Sequence, residues 1–226
     1  MKKRAIIVAG GEGKRMNAGI PKQFLVVAGK PVLMHTIEKF YAFSPEINII
    51  VVLPGQYVEF WNSLCKKYNF RIPHTLVKGG KTRFHSVRNG LDLIREDCLI
   101  AIHDGVRPLV TKETLKKVFS EAEKTGNAIP VIPVTESLRK IKHKGNSKPV
   151  DREKYLLVQT PQCFRSGILL KAYEQEYRKH FTDDASVVEA LGVKIQTVDG
   201  NVENIKLTGP FDLKVAGVLL ENWKNS

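Results

Sequence analysis

Short apolar runs take turns with helical patterns along this chain, and that alternation restricts its fold more than any other feature. Residues 5–9 (AIIVA), 47–53 (INIIVVL), 99–102 (LIAI) and 128–134 (AIPVIPV) are β-branched or otherwise apolar, as strands buried on both faces are. Helical periodicity fills the intervals. One helix is expected from Pro31, a good first-turn residue, through "PVLMHTIEKFYAF". Others are expected at 58–68, 83–94 and 112–124, the last with Thr111 as its N-cap. The order β-α-β-α predicts an α/β fold with a doubly wound, mostly parallel sheet. Ligands of such sheets sit beyond the carboxyl ends of the strands, so the loops after Ala9 and Ile102 are the places to search.

Residues 137–159, "SLRKIKHKGNSKPVDREKYLLVQ", interrupt the rhythm. They are basic and carry a turn signal at Gly145-Asn146, so they read as a β-hairpin arm protruding from the sheet. A hairpin has little core of its own, and packing on another subunit would supply one; a solvated loop is the plainer alternative. The rhythm then resumes, with helices expected at 166–179 and 184–191, a strand at 194–198 and a last helix after Pro210. The 226 residues form one expected domain, with the arm at about 137–159.

The first loop, "VAGGEGKRMNAGIPKQF" at 8–24, brings glycines and cations together and holds no His, Cys or Ser. It is not a Walker P-loop, because Gly13-Lys14 is followed by Arg15 and no hydroxyl stands there for magnesium. Nor is it a dinucleotide fingerprint: the third glycine is replaced by Met16, and the second strand ends "VVLPG" without an acid for a ribose. What remains is a strand-to-loop turn whose backbone N–H groups face phosphates, with cations added. A tight structural turn would account for the glycines but not for Arg15 and Lys22 bracketing them.

Three other clusters stand out. In "AIHDGVRP", 101–108, Asp104 ends an apolar strand and suits magnesium or a sugar hydroxyl, while Arg107 suits a phosphate. His103 beside them reads better as a structural residue with its bonds satisfied. In "KGGKTRFHSV", 78–87, Gly79-Gly80 make a turn and Ser86 lies on the next helix, an arrangement able to close over a base. In "NIKLTGPFDL", Lys206 stands between Ile205 and Leu207 at an expected strand end, either aimed into a site or on an exposed edge.

A net charge of +13 favours anionic partners. Aromatic residues are 8% and mostly at helical core spacing, which argues against the single-strand platforms of an RNA-binding module, the competing reading from another class. Nucleic acid is therefore not an expected partner, and neither is a membrane, because no apolar stretch approaches bilayer length. Cys65, Cys98 and Cys163 are an odd number with no C-x-x-C pair, so neither a disulfide framework nor a zinc site is expected, and a cytoplasmic location fits.

Taken in order, "AGGEGKRM", "PKQF", "GGKTRFHSV", "HDGVRP", "VDR", "TPQCF", "TDDAS" and "NIKLT" resemble the 2-C-methyl-D-erythritol 4-phosphate cytidylyltransferases, enzymes of non-mevalonate isoprenoid synthesis with a Rossmann-like nucleotidyltransferase fold. The first loop alone is shared by many sugar nucleotidyltransferases; the ordered set is far more specific. The resemblance implies that Arg15 and Lys22 are transition-state cations. Ala9, Gly10, Gly11, Gly80 and Ser86 would cradle CTP, with the base near Gly80 and Ser86. Asp104, Gly105 and Arg107 would lie near ribose, Mg2+ and sugar phosphate, with Asp104 as the metal ligand. Arg152 and Lys206 would position the acceptor, Thr182 would stand on the substrate side, and Ser137 replaces the usual Thr. The arm would cross to the second subunit of a homodimer. Gly105 and Val106 depart from the common "HDAARP", and Asp184 stands where Glu is common. The "DGVRP" form also leans toward ribitol-5-phosphate cytidylyltransferases, so that acceptor is the alternative. "TDDASVVEALG" and "VDREKYLLVQTPQCF" lean toward methylerythritol phosphate.

Overall fold

The computed structural model describes residues 1–11 and 20–224. Its first half runs β1 (Lys2–Val8), β2 (Val26–Val27), β3 (Lys30–Pro31), α1 (Val32–Phe43), β4 (Asn48–Leu53), α2 (Val58–Lys67), β5 (Thr75–Lys78), α3 (Arg83–Leu91) and β6 (Cys98–Asp104). Then come α4 (Lys112–Thr125), β7 (Asn127–Pro133), β8 (Leu138–Ile141), β9 (Ser147–Val150), β10 (Leu156–Val158), β11 (Gln162–Arg165), α5 (Ser166–Tyr173), α6 (Asp184–Glu189), β12 (Thr197–Asp199) and α7 (Pro210–Lys224).

The main sheet has the order β10-β7-β11-β6-β1-β4-β5, with β12 beside β7. β1 is parallel to β4 and β6, β4 to β5, and β7 to β12. β11 runs antiparallel to both β6 and β7, and β10 is antiparallel to β7, so a mostly parallel sheet carries two reversed strands. Successive residues of β1 serve opposite layers. Ala5 and Ile7 pack with Leu33, Phe40, Trp61 and Leu115, while Ile6 packs with Phe84, Val87, Phe164 and Leu169. Helices therefore cover both faces, and all seven residues of β6 are buried. That is why the strand runs read as continuous apolar segments rather than as alternating ones.

Several boundaries differ from the sequence reading. β5 and β11 were not expected: Thr75–Lys78 is only four residues long, and Gln162–Arg165 mixes polar with apolar side chains. α5 stops at Tyr173 rather than near residue 179, and the strand expected at 194–198 is confined to Thr197–Asp199. The basic segment is two structures rather than one. β8 and β9 pair only with each other, Leu138 opposite Val150, whereas residues 156–158 rejoin the main sheet as β10. Lys206 lies in irregular backbone, not at a strand end.

Candidate active site

The carboxyl ends of β1, β5 and β6 converge. Loop backbone continues the ladder past the strand ends: Ala9 N–H donates to Val52 O at 2.9 Å, Gly79 N–H to Leu53 O at 2.7 Å, and Gly105 N–H to Val8 O at 2.8 Å. These bonds turn the three loops toward one cleft of about 320 Å³, lined by Val8–Gly11, Lys22, Gln23, Gly80–Arg83, Ser86, Asp104, Val106 and Lys206. The sequence-predicted Ala9, Gly10, Gly11, Lys22, Gly80, Ser86, Asp104 and Lys206 thus share one space. Arg15 lies outside the described residues.

Asp104 is the electrostatic centre. Its side chain is only 10% exposed, with Arg107 Nε at 3.2 Å, Lys206 Nζ at 3.1 Å and Arg83 Nε at 3.7 Å. Burial alone would raise its carboxyl; Arg83, Lys206 and Arg107 outweigh that and hold it well below the usual carboxylate range. Arg107 is fixed from behind by a second bond, Nη1 to Asn204 O at 2.7 Å, so it supports Asp104 rather than lining the cleft. Gly105 also stays out of the lining. Its oxygen accepts from the Thr36 hydroxyl at 3.0 Å, and a Cβ there would meet Ala9 Cβ at 2.8 Å, so its place is one of close packing.

His103 is buried and bonded at both nitrogens. Nε2 lies 3.0 Å from Arg107 O, a carbonyl that can only accept, so Nε2 carries the proton in the neutral ring. Nδ1 then accepts from the Thr160 hydroxyl at 3.1 Å, and the same hydroxyl oxygen accepts from Asp104 N–H at 3.1 Å. His103 is the structural residue its sequence context suggested.

Arg83 is the site residue that sequence reasoning missed. It forms a fork on Asp184 at 2.9 and 2.6 Å while reaching toward Asp104. Asp184 is fully buried and also accepts from Tyr173 Oη at 2.6 Å. The motif "GGKTRFHSV" contained the signal, an arginine directly after the cap Thr82, but its two carboxylate partners are distant in sequence. Gln23 was missed as well: Nε2 donates to Ala9 O at 2.7 Å and fixes the first loop. Ser86 ties the second loop to its helix, its hydroxyl donating to Thr82 O at 3.0 Å and accepting from Gly80 N–H at 3.1 Å.

Three further predicted residues are not in the lining of this cleft. Ser137, Arg152 and Thr182 are exposed, and Arg152 donates to Thr135 O of its own chain.

Among the described residues, no three His, Cys, Asp or Glu side chains form a metal-binding group. One carboxylate lining a cleft with several cations does fit Mg2+, which takes few protein ligands and shares phosphate oxygens and water. The chemistry open to the cleft is therefore the gathering of anions: Lys22, Lys81, Arg83 and Lys206 line it together with one carboxylate, Asp104.

Comparison with known proteins finds relatives along nearly the whole chain. The family model for 2-C-methyl-D-erythritol 4-phosphate cytidylyltransferase matches residues 4–222. The enzyme of that name from Bacteroides fragilis is 52% identical over 220 residues, covering 97% of this chain and 100% of the relative. That from Phocaeicola vulgatus is also 52% identical over 220 residues, 97% of this chain and 100% of its own. The crystal structure of the enzyme from Thermus thermophilus superposes with a TM-score of 0.80 at 30% identity, covering 98% of this chain and 100% of that one.

Proposed function

The chain belongs to the 2-C-methyl-D-erythritol 4-phosphate cytidylyltransferase family, and from that premise we propose how its cleft divides the work of the reaction. The enzyme transfers CMP from CTP to 2-C-methyl-D-erythritol 4-phosphate in isoprenoid biosynthesis and releases pyrophosphate. The relatives named above all carry the methylerythritol phosphate name, which supports that acceptor over ribitol 5-phosphate.

The acceptor's phosphate oxygen is the nucleophile and is already largely ionised at neutral pH. It forms a bond to the α-phosphorus of CTP while the bond from that phosphorus to the bridging oxygen breaks, and pyrophosphate carries the electron pair away. No side chain needs to remove a proton. The barrier is the approach of two anions, and positioned cations lower it. The observation that carries this reading is the cleft itself, where lysines and arginines converge around one buried carboxylate.

In this assignment the backbone of Ala9, Gly10 and Gly11 faces the triphosphate, and Lys22, with Arg15, neutralises charge at the α-phosphate. Lys206, at 44% exposure the most accessible partner of Asp104, exchanges that carboxylate for the incoming phosphate. Arg107 keeps Asp104 in place. Asp104 would hold Mg2+, which supplies Lewis-acid neutralisation of phosphate charge when bound. Gly80 and Ser86 read the base. The Ser86 hydroxyl has an acceptor lone pair left, which suits the 4-amino group of cytosine and not the 4-oxo group of uracil.

The acceptor side is completed by a second subunit, with Arg152, Ser137 and Thr182 serving acceptor binding and the arm at about 137–159 reaching the neighbouring site. Two features support this. β10 is an edge strand, and its Leu156, Leu157 and Val158, with Tyr155 just before it, are all 43% or more exposed, an apolar row that a partner would cover. On the β8–β9 ladder, Lys140 stands directly opposite Lys148, a like-charge pair in want of an anionic neighbour. A cytoplasmic location fits the three free thiols Cys65, Cys98 and Cys163. No described helix is long and apolar enough to cross a membrane.

Replacing Lys22 tests the division of work. Lys22→Ala should lower turnover about a hundred- to a thousandfold, the cost of one transition-state donor, with its melting temperature unchanged. Wild-type turnover by the folded variant would remove Lys22 from the mechanism.

A further inference from the structure

Asp184 is absent from the cleft lining, yet it fixes one of the residues that line it. It is the first residue of α6 and is fully buried. Three groups donate to its carboxylate: Arg83 Nη1 to Oδ1 at 2.9 Å, Arg83 Nη2 to Oδ2 at 2.6 Å, and the Tyr173 hydroxyl to Oδ1 at 2.6 Å. Arg83 opens α3 and Tyr173 closes α5, so three helix ends meet at one carboxylate. A fork of this kind sets the plane of the guanidinium as well as pairing its charge.

The fork leaves the Arg83 Nε side turned to Asp104. Nε stands 3.7 Å from Asp104 Oδ1, near enough for its charge to be felt and too far for a hydrogen bond. The two oxygens of Asp104 are therefore unequal. Oδ2 has Arg107 Nε at 3.2 Å and Lys206 Nζ at 3.1 Å. Oδ1 accepts no hydrogen bond from the described residues, and its cation is Arg83 at 3.7 Å. A guanidinium without another partner would close that gap, because a direct bond to a carboxylate is the stronger arrangement. A clamp between helices would account for the fork alone. It would not account for a guanidinium that also lines the cleft, 28% exposed, and stops short of the carboxylate there.

We propose that Asp184 is a positioning residue for the transfer reaction: by engaging both Nη groups of Arg83 it holds that guanidinium off Asp104 Oδ1 and leaves this oxygen open to Mg2+. This rests on the assignment of Asp104 to the metal. Tyr173 supports the arrangement from behind, since its bond to Asp184 Oδ1 keeps the carboxylate facing Arg83. With Asp184 neutral, Arg83 turns to the remaining carboxylate within its reach, Asp104, and competes with the cation for it.

Calorimetric binding of CTP to the full-length protein without acceptor, at a series of Mg2+ concentrations and in EDTA, separates positioning from clamping. Asp184→Asn keeps an acceptor oxygen for Tyr173 and removes the charge that holds Arg83. It should raise the Mg2+ concentration that half-restores CTP affinity by about 10- to 100-fold, the usual cost of losing an outer partner of a metal ligand. CTP affinity in EDTA should change little. Asp184→Glu returns the carboxylate and should recover most of the loss. In an Arg83→Gln background Asp184→Asn should raise the Mg2+ requirement no further, because the group it acts through is gone. If Asn prevents folding, Asp184→Ser, also an acceptor, carries the same prediction. An unchanged Mg2+ requirement, or an equal loss of CTP affinity with Mg2+ and in EDTA, would make Asp184 a clamp between helices and overturn the proposal. A wild-type Mg2+ requirement in Asp104→Asn would overturn the metal assignment of Asp104 and this inference with it; a raised requirement in Asp104→Asn without one in Asp184→Asn overturns the role of Asp184 alone.

Discussion

Burial makes His103 a base that folding keeps neutral. Its ring is lowered from the ordinary histidine value to about 4 by desolvation, against weaker opposing effects from its hydrogen bonds and Asp104. The unfolded chain binds a proton near pH 6.5, and the folded one resists until about pH 4. Stability from this residue is therefore complete above about pH 6.5 and is lost as pH falls toward 4, by on the order of 3 kcal/mol. His74 is lowered in the same direction by burial and contributes to the same window. Asp104 acts later, because its depressed carboxyl protects the fold until pH drops below the ordinary carboxylate range of about 4. Urea melts of wild type and His103→Gln between pH 4 and 7 check this: the variant should show a shallower decline, and parallel curves would count against it. Residue by residue, legibility followed sequence distance. Lys22 and Lys206 were visible because each is a cation in an otherwise apolar or glycine-rich context. Arg83 was not, because the carboxylate that holds it, Asp184, comes 101 positions later.

At the scale of elements, the loop between β5 and α3, proposed above to read the base, has little room for change. A Cβ on Gly80 would lie 2.5 Å from His85 Cβ and 3.0 Å from His85 C, inside the first turn of α3. Helix backbone cannot give way as a flexible side chain can, so the loop must move instead. Gly80→Ala should cost about 1–3 kcal/mol of stability by overpacking, and should raise KM for CTP well before it affects the acceptor. Competition between CTP and UTP gives the matching test of base reading: wild type should strongly prefer CTP, and equal rates would remove Gly80 and Ser86 from that role. The long central strands and helices were legible because a run buried on both faces, or a stripe at helical spacing, needs only local sequence. β5 and β11 were not, since four residues mixing polar and apolar side chains look like loop until neighbouring strands supply their partners. The boundary near residue 156 was hidden for a related reason. "YLLV" is apolar and reads as the end of a hairpin, but its bonds go to β7 instead.

For the whole molecule, the proposed exchange of arms makes activity a property of pairs. Arg152→Ala and Lys22→Ala, each inactive alone, should regain activity when mixed. About half of randomly exchanged dimers are hybrids with one site free of both lesions, which gives about a quarter of wild-type turnover. No recovery after exchange has been verified would mean that Arg152 serves its own subunit, on which it already donates to Thr135 O. Charge at this scale agrees with the site: a chain of net +13 collects anions, and its cleft concentrates that tendency around Asp104. The central claim is that this cleft joins two phosphates of defined identity. Pyrophosphate release from CTP and Mg2+ by the wild-type protein, measured with 2-C-methyl-D-erythritol 4-phosphate, with ribitol 5-phosphate and with neither, tests it most directly. Release is predicted with methylerythritol phosphate alone, and release with ribitol 5-phosphate alone, or with no acceptor at the same rate, would contradict it.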